Sequence, residues 1–339
     1  MKTEYLKNNE AGIARAAELL RQGKLVAIPT ETVYGLAANA LDGKAVARIF
    51  EAKGRPQDNP LIVHIAALEQ WDGLVSEIPL AARTLAERFW PGPLTIILPK
   101  SEQIPEEVSA GLPTVAVRFP SHPVARQVIR QAGVPLAAPS ANLSGSPSPT
   151  CFEHVRADLD GRVEALLDGG PCGVGVESTV LSLAGEKPRL LRPGGITPEQ
   201  LEAALGPVEI DPAVTNRLEE GRKAASPGMK YKHYAPKAHV ALLRGTTGAY
   251  VDYVNGKNAE GVYALCFEED RPGLQAPALC YGGAQDGAAQ AHLLFDCLRR
   301  LDELGARQVY AHAPAPKGVG LAVYNRLIRA AAFEIIDLP

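Results

Sequence analysis

Short apolar runs alternate along the chain with amphipathic stretches, and this alternation predicts an α/β protein. Ile13, Ala16, Ala17 and Leu20 recur at helical spacing, and the stripe stops at Gly23. Residues 25–28 are a compact apolar run closed by Pro29, the pattern of a buried strand. Val46, Ile49 and Phe50 share one face of a further helix, for which Gly54 is a natural left-handed terminator. Lys53 is thereby placed at a helix end and Arg55 on the following loop. Residues 61–65, 94–98, 114–118 and 179–183 read as strands, and 80–89 and 123–131 as amphipathic helices. The pattern weakens near residue 210 and then resumes. Strands are predicted at 239–243, 262–266, 308–311 and 333–336, with a long helix over 288–304 closed by Gly305. The expected organisation is a first domain over 1–208, a linker over 209–237 and a smaller, doubly wound, Rossmann-like domain over 238–339. That second domain lacks the glycine fingerprint of a dinucleotide site.

Composition narrows the function classes. A length of 339 residues suits two domains, and 46% hydrophobic residues can build two cores. A formal charge of −3 speaks against a general nucleic-acid coat protein and leaves room for a local basic cleft. The five cysteines are odd in number and form no C-x-x-C pair, which speaks against a disulfide framework or a zinc site and points to a reducing cytosol. The N-terminal residues lack the apolar core of a secretory signal, and no apolar run is long enough to span a membrane. Neither a Walker loop nor a G-x-G-x-x-G turn occurs. A bound nucleotide would have to be held by side chains.

Two segments carry the candidate chemistry. Lys53-Gly54-Arg55-Pro56, with Asn59 and His64 behind it, sets two cations beside a flexible glycine. Ser140-Ala141-Asn142-Leu143-Ser144 clusters small hydrogen-bonding side chains. Together they suit an anion with a sugar or base attached. Thr30 and Thr32, in Pro29–Leu36, read either as donors at the lip of a pocket or as part of a plain turn around a buried Tyr34. Lys53 and Arg55 alone read as solvated surface charges. Arg118, at the end of an apolar strand, is hard to place except beside a ligand or an acidic partner, and three cations from separate segments suit phosphates and a carboxylate. His64 interrupts an apolar strand and reads as a satisfied core residue or a ligand contact. The glycine run from Gly169 to Gly175 reads as a turn or as a close backbone approach to a ligand. Cys172 has no histidine near it in sequence and is not expected to be a nucleophile. Residues 226–236 are too rich in aromatic and basic side chains for an inert spacer.

These segments together resemble the YrdC family, whose signature is K-x-R followed later by S-x-N. Residues 226–236 and the domain after them resemble its long, two-domain form. The resemblance implies a twisted mixed sheet with helices around a large positive cavity. It implies a nucleotidyl transfer in which L-threonine, bicarbonate and ATP give L-threonylcarbamoyl-AMP and pyrophosphate, with Mg2+ accompanying ATP. The product would feed threonylcarbamoyladenosine formation next to the anticodon of tRNAs reading codons that begin with A. The implied partners are these small molecules, a downstream threonylcarbamoyl transferase complex and tRNA only indirectly or weakly, in the cytoplasm and without a membrane. Carried over by position, Thr32, His64, Arg118, Ala138 and Ser178 would hold L-threonine. Arg55, Asn59, Thr114, Ser140, Asn142, Ser148 and Arg192 would hold ATP. Lys53 and Arg55 would be catalytic, neutralising the triphosphate. Ser226, Lys230, Tyr231, His233 and Tyr234 would belong to a lid, and no side chain is assigned to a metal. Two rivals remain. One is an RNA-binding module of the same fold, which would carry a net basic surface and lack the threonine pocket. The other is a carbamoyl transferase using carbamoyl phosphate, whose zinc-finger cysteine pairs this chain lacks.

Overall fold

Two β-sheets, each with its own apolar cores, organise the chain in the computed structural model, which describes residues 1–217 and 234–339. The first sheet contains β1 (Glu4–Leu6), β2 (Val26–Ile28), β3 (Gly35–Asn39), β4 (Ile62–His64), β5 (Leu94–Pro99), β6 (Thr114–Arg118), β7 (Leu136–Ala137), β8 (Ala165–Leu167), β9 (Thr179–Ser182), β10 (Arg189–Arg192) and β11 (Glu209–Ile210). Their spatial order is β1-β8-β2-β3-β7-β4-β6-β5-β9-β10-β11, and parallel and antiparallel pairs are mixed. The sheet runs on past residue 208, because β11 pairs in parallel with β10.

The period of two along each strand sorts the side chains. Leu61, Val63, Ile96, Leu98, Val115, Val117, Leu181 and Leu190 enter the main core with the helices. Ile62, Ile97, Ala116, Val180 and Leu191 point to the other face, where they meet Ala213. On that second face, two residues beyond Ile62 comes His64, and two beyond Ala116 comes Arg118. An apolar strip thus turns polar at the strand ends, and there the cavity opens.

The second sheet is wholly parallel: β12 (His239–Arg244), β13 (Val262–Cys266), β14 (Ala278–Cys280), β15 (Gln308–His312) and β16 (Ile335–Asp337) lie in the order β14-β13-β15-β12-β16. Val240, Leu242, Leu265 and Val309 pack under the long helices Gly287–Glu303 and Gly320–Ala330. Leu243, Ala264 and Cys266 pack with Tyr250 and Val254 of helix Thr247–Gly256 on the other face. A parallel sheet covered on both faces is the doubly wound architecture that the strand–helix alternation predicts.

The units dock through polar contacts as well as apolar ones. Arg299 reaches Asp158 at 2.7 Å and the Pro147 carbonyl at 2.6 Å. Asn325 donates to the Val214 carbonyl at 2.6 Å and Arg329 to that of Ala213 at 2.7 Å. Gly175 belongs to this seam. A Cβ on it would lie 2.5 Å from the backbone of His292. The close approach that this glycine permits is to the second unit rather than to a ligand.

Candidate active site

The cavity forms where the two signature segments meet the ends of β4, β6 and β9. It encloses about 700 Å3, part of it open to solvent, and Lys53, Arg55, His64, Arg118, Ala138, Ser140, Asn142, Ser178 and Arg192 all line it. Among the described residues, three arginines and Lys53 face one carboxylate in the lining, Glu177. That surplus suits a polyanion.

Register explains one wall. His64 pairs with Arg118 across β4 and β6, and Thr95 pairs with Arg118 across β5 and β6. Thr95 Oγ1 lies 2.8 Å from Ser178 Oγ, so four polar side chains share one corner. Burial and then the Arg118 charge push His64 down to about 3, which keeps its imidazole neutral at physiological pH. Its Nδ1 lies 3.2 Å from the Ile62 carbonyl. Arg118 is gripped from several sides. Its Nη1 donates to Thr32 Oγ1 at 2.9 Å, its Nε to the Gly92 carbonyl at 3.4 Å, and its Nη2 faces Glu31 at 2.7 Å. Burial pushes the Glu31 carboxyl up, and Arg118 more than reverses this, leaving it below the usual range. Arg118 thus has the acidic partner its position demanded. Its fork is already shared, so it meets a ligand as an oriented charge rather than as an open bidentate clamp. Thr30 and Thr32 are fully buried in the wall and not at a lip. Thr30 Oγ1 bonds Thr32 Oγ1 at 2.9 Å and the Val33 carbonyl at 2.6 Å, so it braces the turn. Tyr34 is buried as the plain reading expects, and its hydroxyl donates to the Gly170 carbonyl at 2.7 Å.

The signature segments form a second wall. Helix Gly43–Lys53 is capped by Asp42 at its start and ends at Gly54, whose φ of 61° is left-handed. The reversal turns Lys53 inward. Its ammonium is buried and donates to the carbonyls of Ser140 and Asn142, each at 2.5 Å. This corrects the reading of Lys53 as a surface charge that holds no core: it clamps the K-x-R and S-x-N segments together. Burial and the nearby Arg55 hold the amine well below its ordinary range. Ser140 Oγ donates to Asn142 Oδ1 at 2.5 Å, and Asn142 Nδ2 donates to the carbonyls of Leu143 and Ser146, which fixes the loop. Arg55 is half-buried and reaches the Asn59 carbonyl at 3.4 Å. The buried amide oxygen of Asn59 has no hydrogen-bond partner among the described residues, and Asn59 stands behind the lining rather than in it.

Arg192 donates from Nε to the Ser178 carbonyl at 3.0 Å and from Nη2 to Ser178 Oγ at 3.1 Å. Burial lowers it to about 10, so it remains a cation at neutral pH. Ser148 is buried beside the lining and donates to Glu177 Oε1. Thr114 does not line the cavity. It starts β6, four residues before Arg118 and about 13 Å along the strand. Of the lid residues, Ser226, Lys230, Tyr231 and His233 lie outside the described residues. Tyr234 is described: it lines the cavity, and its ring packs 5.3 Å from that of Phe295 in the second unit. Ala235 follows it and donates to the Gly145 carbonyl at 3.1 Å. Burial pushes the Cys172 thiol up to about 12, consistent with an inert core residue.

Thr95, Glu177 and the supporting role of Glu31 are the site features that sequence reasoning missed. A signal existed for Glu177. It is a charge beside the buried Val176 and just before the start of β9, and a cavity with several buried cations calls for an acid.

The family model Sua5_yciO_yrdC, described as Telomere recombination, matches residues 18–194. A Threonylcarbamoyl-AMP synthase of Bacillus subtilis is 49% identical, over 98% of this chain and 97% of its own. The chain belongs to the Sua5/YciO/YrdC family. A second model, described as Threonylcarbamoyl-AMP synthase, C-terminal domain, matches residues 196–332, so the two-domain form of the family is present. A Threonylcarbamoyl-AMP synthase of Pyrococcus abyssi is also 49% identical, over 95% of each chain. The crystal structure of P. abyssi Sua5 complexed with L-threonine superposes with a TM-score of 0.91 at 44% identity, covering 100% of both chains. The likeness to P. abyssi Sua5 thus extends over both units. Among the described residues, no helix is long and apolar enough to cross a membrane.

Proposed function

We propose that this chain is an L-threonylcarbamoyladenylate synthase, a nucleotidyltransferase that supplies threonylcarbamoyl-AMP for tRNA modification in the cytoplasm. One observation carries the reading: neutral His64, Arg118 and the hydroxyls of Thr32 and Ser178 share a corner of the cavity to which Lys53 brings the K-x-R and S-x-N segments. The corner suits a small amino acid with a carboxylate and a hydroxyl. Arg118 faces the carboxylate, His64 and Ser178 offer partners to the hydroxyl, and Ala138 leaves room for the methyl group. Arg55, Ser140, Asn142 and Arg192 suit the nucleotide, with Asn59 and Ser148 supporting them from behind. Thr114 is carried by the resemblance alone.

The chemistry asks for positioning and charge. Threonine and bicarbonate condense to a carbamate with loss of water. A carbamate oxygen attacks the α-phosphorus, the bond to the bridging β-oxygen breaks, and pyrophosphate leaves with that oxygen and its electron pair. Arg55 and Arg192 face the growing charge. Lys53 contributes its own charge and fixes the loop that carries Ser140 and Asn142. Magnesium belongs to this reading as part of the MgATP substrate. Among the described residues no group of three His, Cys, Asp or Glu side chains assembles to hold it, and Glu177 is already engaged. A downstream threonylcarbamoyl transferase would receive the adenylate. Incubation with ATP, bicarbonate and labelled threonine tests the reading. Pyrophosphate and labelled adenylate should form only when all three are present, and pyrophosphate release independent of threonine would refute it.

A further inference from the structure

The helix Gly320–Ala330 is buried at every position and lies in the second unit, yet it carries Arg326 into the first. The Arg326 side chain is wholly enclosed. Its Nε donates to Glu177 Oε2 at 2.9 Å, its Nη2 to the Glu177 carbonyl at 3.3 Å, and its Nη1 to the Pro193 carbonyl at 2.6 Å. Two neighbours on the same helix, Asn325 and Arg329, dock the units by donating to backbone carbonyls. Arg326 differs because its partner, Glu177, is the one carboxylate in the cavity lining among the described residues.

We propose that Arg326 is a positioning residue through which the second unit neutralises and aims Glu177, so that the cavity's cations remain available to the triphosphate. This rests on the reading of the cavity as an ATP site. Glu177 lies among cations and, without a dedicated partner, would repel the phosphates. Pinned by Arg326 through Oε2, it presents Oε1 to the Ser148 hydroxyl and fixes it. Ser178 is held separately, by Arg192 and Thr95, so the threonine corner does not depend on Arg326. Burial pushes the Glu177 carboxyl up, and Arg326 with Arg192 more than offsets this, which keeps it ionised and in need of a partner. Removing one member of a buried pair strands the other, whereas removing both does not.

The test uses the full chain and pyrophosphate release, with folding followed by thermal melting. Arg326→Met should raise the KM for ATP at least thirtyfold, about 2 kcal/mol, and the KM for threonine less than fivefold. The double variant Arg326→Met/Glu177→Gln should bring the KM for ATP back to within about fivefold of wild type, because Gln still accepts from Ser148 and no charge is stranded. If Arg326→Met does not fold, Arg326→Gln, which can bond Glu177 but is uncharged, takes its place with the same expected change. A folded Arg326 variant with an unchanged KM for ATP, or no recovery in the double variant, overturns the assignment. Failure of the wild type to release threonine-dependent pyrophosphate is a separate result and strikes the functional reading itself.

Discussion

His64 and His312 are both buried residues that end β-strands, and their surroundings differ completely. His312 lies in the second unit, where Nδ1 meets Asp270 at 2.8 Å and Nε2 meets the Gly245 carbonyl at 3.1 Å. Its ring stacks on Tyr250 at 4.4 Å, and Tyr281 donates to its carbonyl at 2.5 Å. Each polar atom of that ring has its partner inside the fold. His64 faces a cavity next to Arg118, in a lining where cations outnumber carboxylates. Burial alone therefore does not separate a structural histidine from one in a site. An unbalanced charge around empty space does.

The largest break of this contrast is expected at Lys53. In Lys53→Met the ammonium no longer joins Ser140 and Asn142, and turnover should fall about a hundredfold, roughly 3 kcal/mol. Stability should fall as well, by about 2 kcal/mol, because two carbonyls lose a charged donor. Steady-state kinetics and urea unfolding report the two effects separately. A normal rate in a folded variant would return Lys53 to a purely structural role.

Asp270→Ala tests the other side. It strands His312 and should cost about 2–3 kcal/mol of stability in urea titration. The KM values for ATP and threonine should stay within about twofold, since the partners of this cluster all lie in the second unit. A large change in either KM would mean that the polar core of the second unit is coupled to the site.

The last check is read from acid titration, where the effect appears as a slope against pH rather than as a single loss. Unfolded His64 protonates near 6.5, whereas the folded residue resists until about 3. Between those values the unfolded state binds the extra proton. The stability that this residue confers is therefore complete above 6.5 and declines by about 1.4 kcal/mol per pH unit as the pH falls below it. Denaturation curves across pH 4–6.5 should be flatter for His64→Gln than for wild type. Parallel slopes would show that His64 titrates normally in the fold.

Much of this was legible in the sequence. Periodicity located β6, the helix ending at Gly54 and the long helix of the second unit, because in each a run of apolar residues at one spacing dominates. The very short strands β1, β7 and β11 escaped, since two or three residues carry no period. Helix Gly320–Ala330 escaped as well: its apolar stripe is present, but nothing in the sequence shows that its arginine face is buried too. The K-x-R and S-x-N segments announced a site. Their mutual clamp did not, because Lys53 bonds to backbone carbonyls and any residue could supply those. Glu31 and Glu177 were visible as letters, but their work depends on which arginine the fold brings to them.

The order of strands in the first sheet also bears on how the chain is made. β8 lies between β1 and β2, so Val26 cannot meet its partner Ala165 until that residue has been synthesised. At about 5–20 residues per second, the outer edge of Val26–Ile28 stays bare on the ribosome for on the order of ten seconds. An apolar strand with an open edge is a template for pairing with other chains. The nascent protein is thus most exposed to misassociation at its first core strand, long before any residue of the second unit exists to assist it.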